Sequence, residues 1–263
     1  MSGQEWGARI VDLAQLASRS AICSPDTGSS LHLDTDGGEA LLAQSERFPV
    51  LNECAILYPA RVQAHWVDGA LPVVAYEDPL LQYCLLSQLK NVGETNAPWG
   101  APPAMLHHAR LKEVTASLFG WVLDVGCGSP RQSVQLIPKN CEYTGVDPYG
   151  CEPGMVRALS EILPFADSVF DAVIFNTSLD HILDYVTALN EAHRVLKPGG
   201  KLIVASLAWT ANATLLTDNV HFHHLRESQI LDALSAFKNI SVSRFPDPKN
   251  LSHRFGMYVL AVR

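Results

Sequence analysis

The sequence predicts an α/β chain: a mostly parallel sheet with an antiparallel last strand, preceded by a small β-rich region. Three observations carry this. Trp121-Val122-Leu123-Asp124-Val125-Gly126-Cys127-Gly128-Ser129 is a near-continuous apolar run that breaks into Gly-x-Gly. It reads as a buried parallel strand ending in a tight loop, where missing side chains let a ligand lie against backbone. Glu142-Tyr143-Thr144-Gly145-Val146-Asp147 is a second short strand ending in an acid. That acid falls about 20 residues on, where doubly wound folds place the carboxylate that holds a ribose diol. Beyond it, strand and helix patterns alternate to the end of the chain.

The elements follow in order. Ala104 to Phe119 is a helical stretch leading into the first strand. Pro148, Gly150, Pro153 and Gly154 make 148–154 a loop, with a short strand Met155–Leu159 directly after it. Only 15 residues separate Asp147 from Leu163, and a crossover helix alone needs about 10–12. The helix that ordinarily covers this face is therefore expected to be missing, and the N-terminal region is the candidate to replace it. Ile182, Val186, Leu189, Ala192 and Leu196 recur at helical spacing, so 182–196 reads as an amphipathic helix. Pro198-Gly199-Gly200 stops it before a strand Lys201–Ala205. Glu227–Phe237 reads as a further helix, with closing strands at Ile240–Phe245 and Met257–Val262. The Gly- and Pro-rich stretch 91–103 divides an accessory region, 1–100, from the main domain, 101–263.

Composition narrows the function. With 48% hydrophobic and 17% charged residues, the chain can build a core and is not a disordered segment. A net charge of −8 disfavours a nucleic-acid backbone as partner. Cysteines 23, 54, 84, 127, 141 and 151 include no Cys-x-x-Cys pair, so neither a zinc site nor a disulfide framework is expected. Met-Ser-Gly-Gln-Glu-Trp lacks a basic segment followed by an apolar run. No apolar run has the length of a membrane span, and a cytoplasmic location is expected.

The glycine loop asks for a ligand without a pyrophosphate, because Arg131 and Gln132 stand where a third glycine would seat one. Three further stretches follow in order: Leu163-Pro164-Phe165-Ala166-Asp167-Ser168-Val169-Phe170-Asp171, Ala172-Val173-Ile174-Phe175-Asn176, and His193-Arg194-Val195-Leu196-Lys197-Pro198-Gly199-Gly200-Lys201-Leu202. On these motifs residues 104–263 resemble the class I S-adenosylmethionine-dependent methyltransferases, nearest to the ubiquinone-biosynthesis type. The resemblance implies a Rossmann-like methyltransferase sheet, S-adenosyl-L-methionine as cofactor and a small-molecule acceptor. The N-terminal region has its own likeness. Ile22-Cys23-Ser24-Pro25-Asp26-Thr27-Gly28, then Glu39-Ala40-Leu41-Leu42, Phe48-Pro49-Val50-Leu51-Asn52 and Ala55-Ile56-Leu57 look like the zinc-ribbon-like activator subunits of methyltransferases. The second knuckle cysteine pair is absent and Glu53-Cys54 replaces a glycine, so the segment reads as a degenerate ribbon without stoichiometric zinc. An unrelated β-rich cap is the alternative.

The resemblance assigns roles residue by residue. Gly126, Cys127 and Gly128 bring backbone to the amino acid and ribose portions, with Cys127 a small packing residue. Asp124 orients the ammonium directly or through water, or else caps loop amides. Asp147 binds the ribose diol, or else makes a turn with Pro148 and Tyr149. Relatives carry an acid four residues before the leucine of Leu-Pro-Phe, and Leu159 stands there. Ser160 and Glu161 are expected near adenine through backbone groups, with Leu163 packed beside the base. Asn176 faces the methionine end through its backbone carbonyl. His181 is the candidate base, or a cap on the following helix. His221, His223 and His224 cluster before the helix at 227, and His223 is named with His181 for the acceptor pocket. No carboxylate lies within that cluster, so no metal is expected. His107 and His108 edge the same pocket.

The leading expectation is methyl transfer to a small molecule, on oxygen of a sugar-containing, polyketide-like or lipid-linked metabolite. An RNA or protein methyltransferase with a fused activator is the alternative, weakened by the acidic charge and by Asn176-Thr177-Ser178-Leu179. Relatives that methylate planar amines carry an Asn/Asp-Pro-Pro-Tyr/Phe motif there. An inactive cofactor-binding module is the third reading.

Overall fold

The computed structural model describes residues 5–34, 40–67, 70–94, 102–128, 133–150, 152–210, 221–247 and 252–263. In chain order the accessory region forms β1 (Arg9–Ile10), α1 (Leu13–Ser18), β2 (His32–Leu33), β3 (Ala40–Ala43), β4 (Glu46–Leu51), β5 (Cys54–Ile56), α2 (Ala60–Gln63) and α3 (Pro79–Glu94). Next come α4 (Pro102–Thr115), β6 (Trp121–Val125), β7 (Glu142–Asp147), β8 (Met155–Arg157) and β9 (Phe170–Asn176). The chain closes with α5 (Tyr185–Val195), β10 (Leu196–Trp209), α6 (Glu227–Ala233), β11 (Lys238–Pro246) and β12 (Arg254–Val262).

One sheet runs through the molecule in the order β11-β12-β10-β9-β6-β7-β8-β5-β4-β3-β2. The block β8-β7-β6-β9-β10 is parallel, and β12 lies antiparallel between β10 and β11. The expected mostly parallel sheet with an antiparallel last strand is therefore present. Every residue of β6 is buried, as a parallel strand covered on both faces must be. Order reverses between β6 and β9, so the ligand crevice of such a sheet opens at their carboxyl ends.

Some boundaries differ from the expected ones for local reasons. The helix expected at 182–196 starts at Tyr185, because Leu179–His181 forms a 3₁₀ turn and the Asp184 carboxylate caps the helix by accepting from Thr187 N at 3.0 Å. It ends at Val195, because Leu196 already pairs with Phe170. The strand is then irregular up to Lys201, with Gly199 at φ +78°. The helix at 227 stops at Ala233, short of Phe237. Of the 91–103 connection, residues 95–101 lie outside the described residues, as do Arg131, Gln132 and Cys151.

The crossovers are abridged. Among the described residues, β7 reaches β8 with no helix, as the prolines and glycines of 148–154 predict. Between β6 and β7 only a 3₁₀ turn, Ser133–Leu136, is formed among the described residues, which the sequence reading does not anticipate. The accessory region supplies what these crossovers lack. β5 pairs in parallel with β8, Ala55 opposite Val156, and β4 and β3 continue the sheet as an antiparallel meander. The β4–β5 turn is tight, with Asn52 at φ +51° and Glu53 at φ +60°. β1 pairs in parallel with the start of β7, so β1 and β8 share one edge of that strand.

Side chains follow the same division. On one face Val11, Leu16 and Ile22 pack with Val146, Val156, Leu163 and Phe165. Toward α2 and α3, Ile56, Tyr58, Val62, Tyr83, Cys84 and Leu85 pack with Cys127, Met155 and Leu159. The opposite face carries Leu111 and Leu118 over Val122, Tyr143 and Ile174. None of the described cysteines forms a disulfide. Among the described residues Cys23 joins no group of metal-ligating side chains.

Candidate active site

The crevice begins at the glycine loop. Gly126 sits at φ +72°, and its N–H and that of Cys127 both donate to the Val146 carbonyl, at 2.8 and 3.2 Å. A Cβ on Gly126 would lie 2.4 Å from Ser178 Cβ, so glycine is needed where the loop crosses the segment after β9. Gly128, at φ +68°, has no described atom within 4 Å of where a Cβ would stand. One glycine serves packing and the other leaves room. Cys127 is buried beside Met155 and Leu159.

Asp147 faces this loop from the end of β7. Its Oδ2 accepts from Gly128 N at 3.0 Å, and its Oδ1 accepts from Tyr149 N at 2.8 Å and Gly150 N at 2.6 Å. The turn-making role weighed for this residue is thus present. A carboxylate has about four lone-pair sites, which leaves capacity for one further donor. The loop after Asp147 is fastened to the accessory region. The Tyr58 hydroxyl donates to the Pro148 carbonyl, and the Tyr149 hydroxyl donates to the Cys84 carbonyl.

A chain of polar groups runs beneath the crevice. Asp124 is buried, and its Oδ2 accepts from the Tyr143 hydroxyl at 2.7 Å. Its Oδ1 has no hydrogen-bond partner among the described residues. Burial pushes its carboxyl up to about 6, against the pull of the Tyr143 and Ser133 hydroxyls. Asn176 uses both its backbone and its side chain. Its backbone carbonyl accepts from Thr177 Oγ1 at 2.7 Å, while its side chain does the bridging. Asn176 Nδ2 donates to Ser133 Oγ at 2.8 Å, so its Oδ1 accepts from His107 Nε2 at 2.7 Å. His107 Nδ1 then accepts from the Tyr258 hydroxyl at 2.6 Å. Burial lowers the His107 pKa, in keeping with the neutral ring this assignment needs.

The 158–163 segment meets the accessory region and α5. Leu159, in the position where relatives carry an acid, is buried against Tyr83 and Cys84. Glu161 Oε1 accepts from the Tyr83 hydroxyl at 2.5 Å and from Asp184 N at 3.3 Å, and its Oε2 accepts from Ser160 Oγ at 3.0 Å. Burial raises the Glu161 pKa. The side chains of Ser160 and Glu161 thus engage each other and α3. Leu163 is buried, its N–H donating to Glu191 Oε2 at 3.0 Å and its carbonyl accepting from Arg194 Nη2 at 2.9 Å. Tyr83 carries no motif, and sequence reasoning missed it.

The histidines sort differently from their order in the sequence. The Phe222 and His223 amides donate to the Asp180 carbonyl at 2.9 and 3.1 Å, holding 221–224 against the turn after β9. This brings His221 to His181, ring centroids 4.5 Å apart, with the buried Asp180 carboxylate 3.8 Å from each Nε2. His223, paired with His181 in the sequence reading, is instead turned away. Its Nε2 lies 2.9 Å from the Leu183 carbonyl and its ring packs edge-on to Tyr185. His224 stacks on Trp209 with centroids 4.2 Å apart. Asp180, adjacent to His181 in sequence, is the member that reading overlooked.

Comparison with known proteins bears on this crevice. Residues 123–204, from β6 into β10, match the family described as "Methyltransferase domain". The ubiquinone/menaquinone biosynthesis C-methyltransferase UbiE of Geotalea uraniireducens is 27% identical over 161 residues, 52% of this chain and 68% of that protein. The O-methyltransferase resE of Aspergillus sclerotiorum is 34% identical over 121 residues, 40% of this chain and 46% of that protein. The crystal structure of the 1,6-didemethyltoxoflavin-N1-methyltransferase of Burkholderia thailandensis, with bound 1,6-didemethyltoxoflavin and S-adenosylhomocysteine, superposes with a TM-score of 0.53 at 20% identity. It covers 76% of this chain and 98% of that one, a likeness of fold alone. No helix among the described residues is long and apolar enough to cross a membrane. Motif and fold agree over the same strands: residues 123–204 carry a methyltransferase domain, and the matches together support a class I S-adenosylmethionine-dependent methyltransferase with S-adenosylmethionine as methyl donor.

Proposed function

We propose that this enzyme methylates a small molecule at oxygen, and that the carboxyl ends of β6, β7 and β9 hold the cofactor while the 180–181 turn faces the acceptor. The residues fit the cofactor in two respects. The space beside Gly128 admits a ligand, and Asp124 sets a buried carboxylate in the strand that leads into the glycine loop. Bound there, S-adenosylmethionine supplies a methyl group already activated on a sulfonium. Asp147 holds the ribose diol, the 126–128 backbone lies along the ribose and amino acid portions, and Asp124 orients the ammonium directly or through a water. Leu163 packs beside adenine, with Ser160 and Glu161 contributing backbone groups.

The observation that carries the acceptor assignment is the Asp180–His181–His221 group. A hydroxyl is a poor nucleophile until it loses its proton, and imidazole is the side chain most often used to take one at neutral pH. A carboxylate beside them holds the charge that results. Much of the remaining rate comes from holding the acceptor in line with the methyl group. A second reading, ring-carbon methylation, is favoured by the quinone C-methyltransferase relative. It uses the same deprotonation, since a phenolate is also nucleophilic at the adjacent carbon.

Asp147→Ala is expected to weaken S-adenosylhomocysteine binding by about 1–3 kcal/mol, the loss of charge-assisted hydrogen bonds. Asp147→Asn keeps an acceptor for Tyr149 and Gly150 but loses the one for Gly128, so a thermal melt of each variant accompanies the affinity. Calorimetry on both variants measures this, and unchanged affinity in a folded protein rejects the ribose assignment. The reaction itself is tested by incubating the enzyme and S-adenosylmethionine with hydroxylated aromatics, glycosides and amines. Mass spectrometry should find methyl on oxygen, or on a carbon beside a phenolic oxygen. Methylation of amines alone would refute the proposal.

A further inference from the structure

We propose that Asp180, His181 and His221 form a binding site for one divalent transition-metal ion on the acceptor side of the crevice. The existence of the site rests on geometry, and its role in ionising the acceptor hydroxyl rests on the function proposed above. One carboxylate oxygen and two imidazole nitrogens lie within 4.8 Å of one another. Each Nε2 is 3.8 Å from an Asp180 oxygen, His181 from Oδ1 and His221 from Oδ2. That is too long for a hydrogen bond, yet close to the spacing an ion imposes. Zinc–ligand bonds of about 2.0–2.2 Å in a tetrahedron place ligand atoms about 3.4 Å apart.

The second observation is the state of Asp180. The residue is 8% exposed, and its Oδ1 makes no hydrogen bond among the described residues. A buried carboxylate oxygen without a donor is destabilising, and a cation would satisfy it. The group is also preorganised. Asp180 and His181 share a 3₁₀ turn, and the Asp180 carbonyl accepts the Phe222 and His223 amides, fixing His221 across from it. Sequence alone argues against a metal because the 221–224 cluster contains no carboxylate. The fold brings one from forty residues earlier.

Two imidazoles and one carboxylate select a borderline ion such as Zn²⁺, Co²⁺ or Fe²⁺ over Mg²⁺, which prefers all-oxygen sites. Three protein ligands leave a position open, as in catalytic sites. An acceptor hydroxyl held there would lose its proton to solvent near neutral pH, the two metal-bound imidazoles being ligands in that state and no longer the base.

The test titrates the full chain with Zn²⁺ by calorimetry, without cofactor, and records the visible spectrum of the Co²⁺-loaded protein. One ion per chain and a Co²⁺ d–d band are expected. His221→Ala and Asp180→Asn should each weaken Zn²⁺ binding by at least about tenfold, while His223→Asn leaves it unchanged. The proposal is overturned if the wild-type protein takes up no Zn²⁺, if His221→Ala binds it equally well, or if Mg²⁺ competes at equal concentration. S-adenosylhomocysteine affinity is measured on the same samples. Cofactor binding without metal binding rejects the metal site alone, and metal binding without cofactor binding rejects the proposed function instead.

Discussion

A chain beginning at Ala101 is expected to be insoluble, or to melt far below the full-length protein. Its loss would uncover Met155, Val156, Leu159, Leu163 and Phe165, all buried against residues of the first hundred. Burial of one large apolar side chain contributes about 1.5–3 kcal/mol. Exposing this group therefore costs about as much as the 5–15 kcal/mol that holds a whole domain folded. The truncation also strips β5 from β8 and leaves an unprotected strand edge, a template for aggregation. The loop after Asp147 would lose its anchors at Tyr58 and Cys84 as well. We therefore propose that residues 1–100 act as an integral half of the methyltransferase fold. Co-expression of residues 1–100 should restore part of the solubility and of the S-adenosylhomocysteine affinity. A truncated chain that is monodisperse, binds cofactor normally and melts with the full-length protein would show the region to be a separate appendage.

Asp124→Asn is expected to make the protein more stable at pH 7 and poorer at binding its cofactor. The Asp124 carboxyl titrates at about 6 in the folded state, raised by burial from its usual 3.8. A folded state that holds its proton more tightly than the unfolded chain loses stability as pH rises between those values. Stability should fall from about pH 4 to about pH 6 and then level off, at a cost on the order of 3 kcal/mol. Asparagine keeps an acceptor for the Tyr143 hydroxyl and removes the charge. Thermal melts at pH 5 and pH 7 should show that replacing Asp124 removes the part of the wild-type stability loss at the higher pH that this carboxyl causes, so the variant gains relative to wild type as pH rises. At pH 7 the variant should melt higher by about 5–10 °C. Calorimetry should find cofactor affinity reduced by about 1–3 kcal/mol if the carboxylate faces the ammonium. A variant that melts lower, with the wild-type pH dependence intact, would mean that the hydrogen bonds of Tyr143 and Ser133 outweigh the cost of burying the charge.

The sheet was legible where sequence signals are local. β6 and β7 are short apolar runs closed by a glycine or an acid, and periodicity located α5 within a turn of its position. The bare connection after Asp147 was legible too, because two prolines and two glycines leave no room for a helix. What failed was whatever depends on partners far along the chain. Nothing near Leu163 says that Tyr83 will reach Glu161, and nothing in 221–224 says which histidine turns toward Asp180. His223 fits the pocket equally well as a letter in the sequence, and its contacts with the Leu183 carbonyl and the Tyr185 ring are formed only in the fold. Asn176 was assigned through its carbonyl, but the donors that fix its side chain, Ser133 and His107, come from segments read only as packing or pocket edge.

The pairing of β5 with β8 has a consequence for how the protein is made. About one hundred residues separate Ala55 from its partner Val156, and the Arg9–Glu142 pairing is longer still. At synthesis rates of about 5–20 residues per second, the first strands wait several seconds on the ribosome before the strands they join have emerged. During that interval the meander of β3, β4 and β5 carries an open edge and the apolar side chains of Leu41, Phe48 and Ile56. Long-range parallel pairing is slow to form. The first hundred residues are thus the segment most exposed to aggregation during synthesis, and slower translation of residues 101–156 should lower the soluble yield.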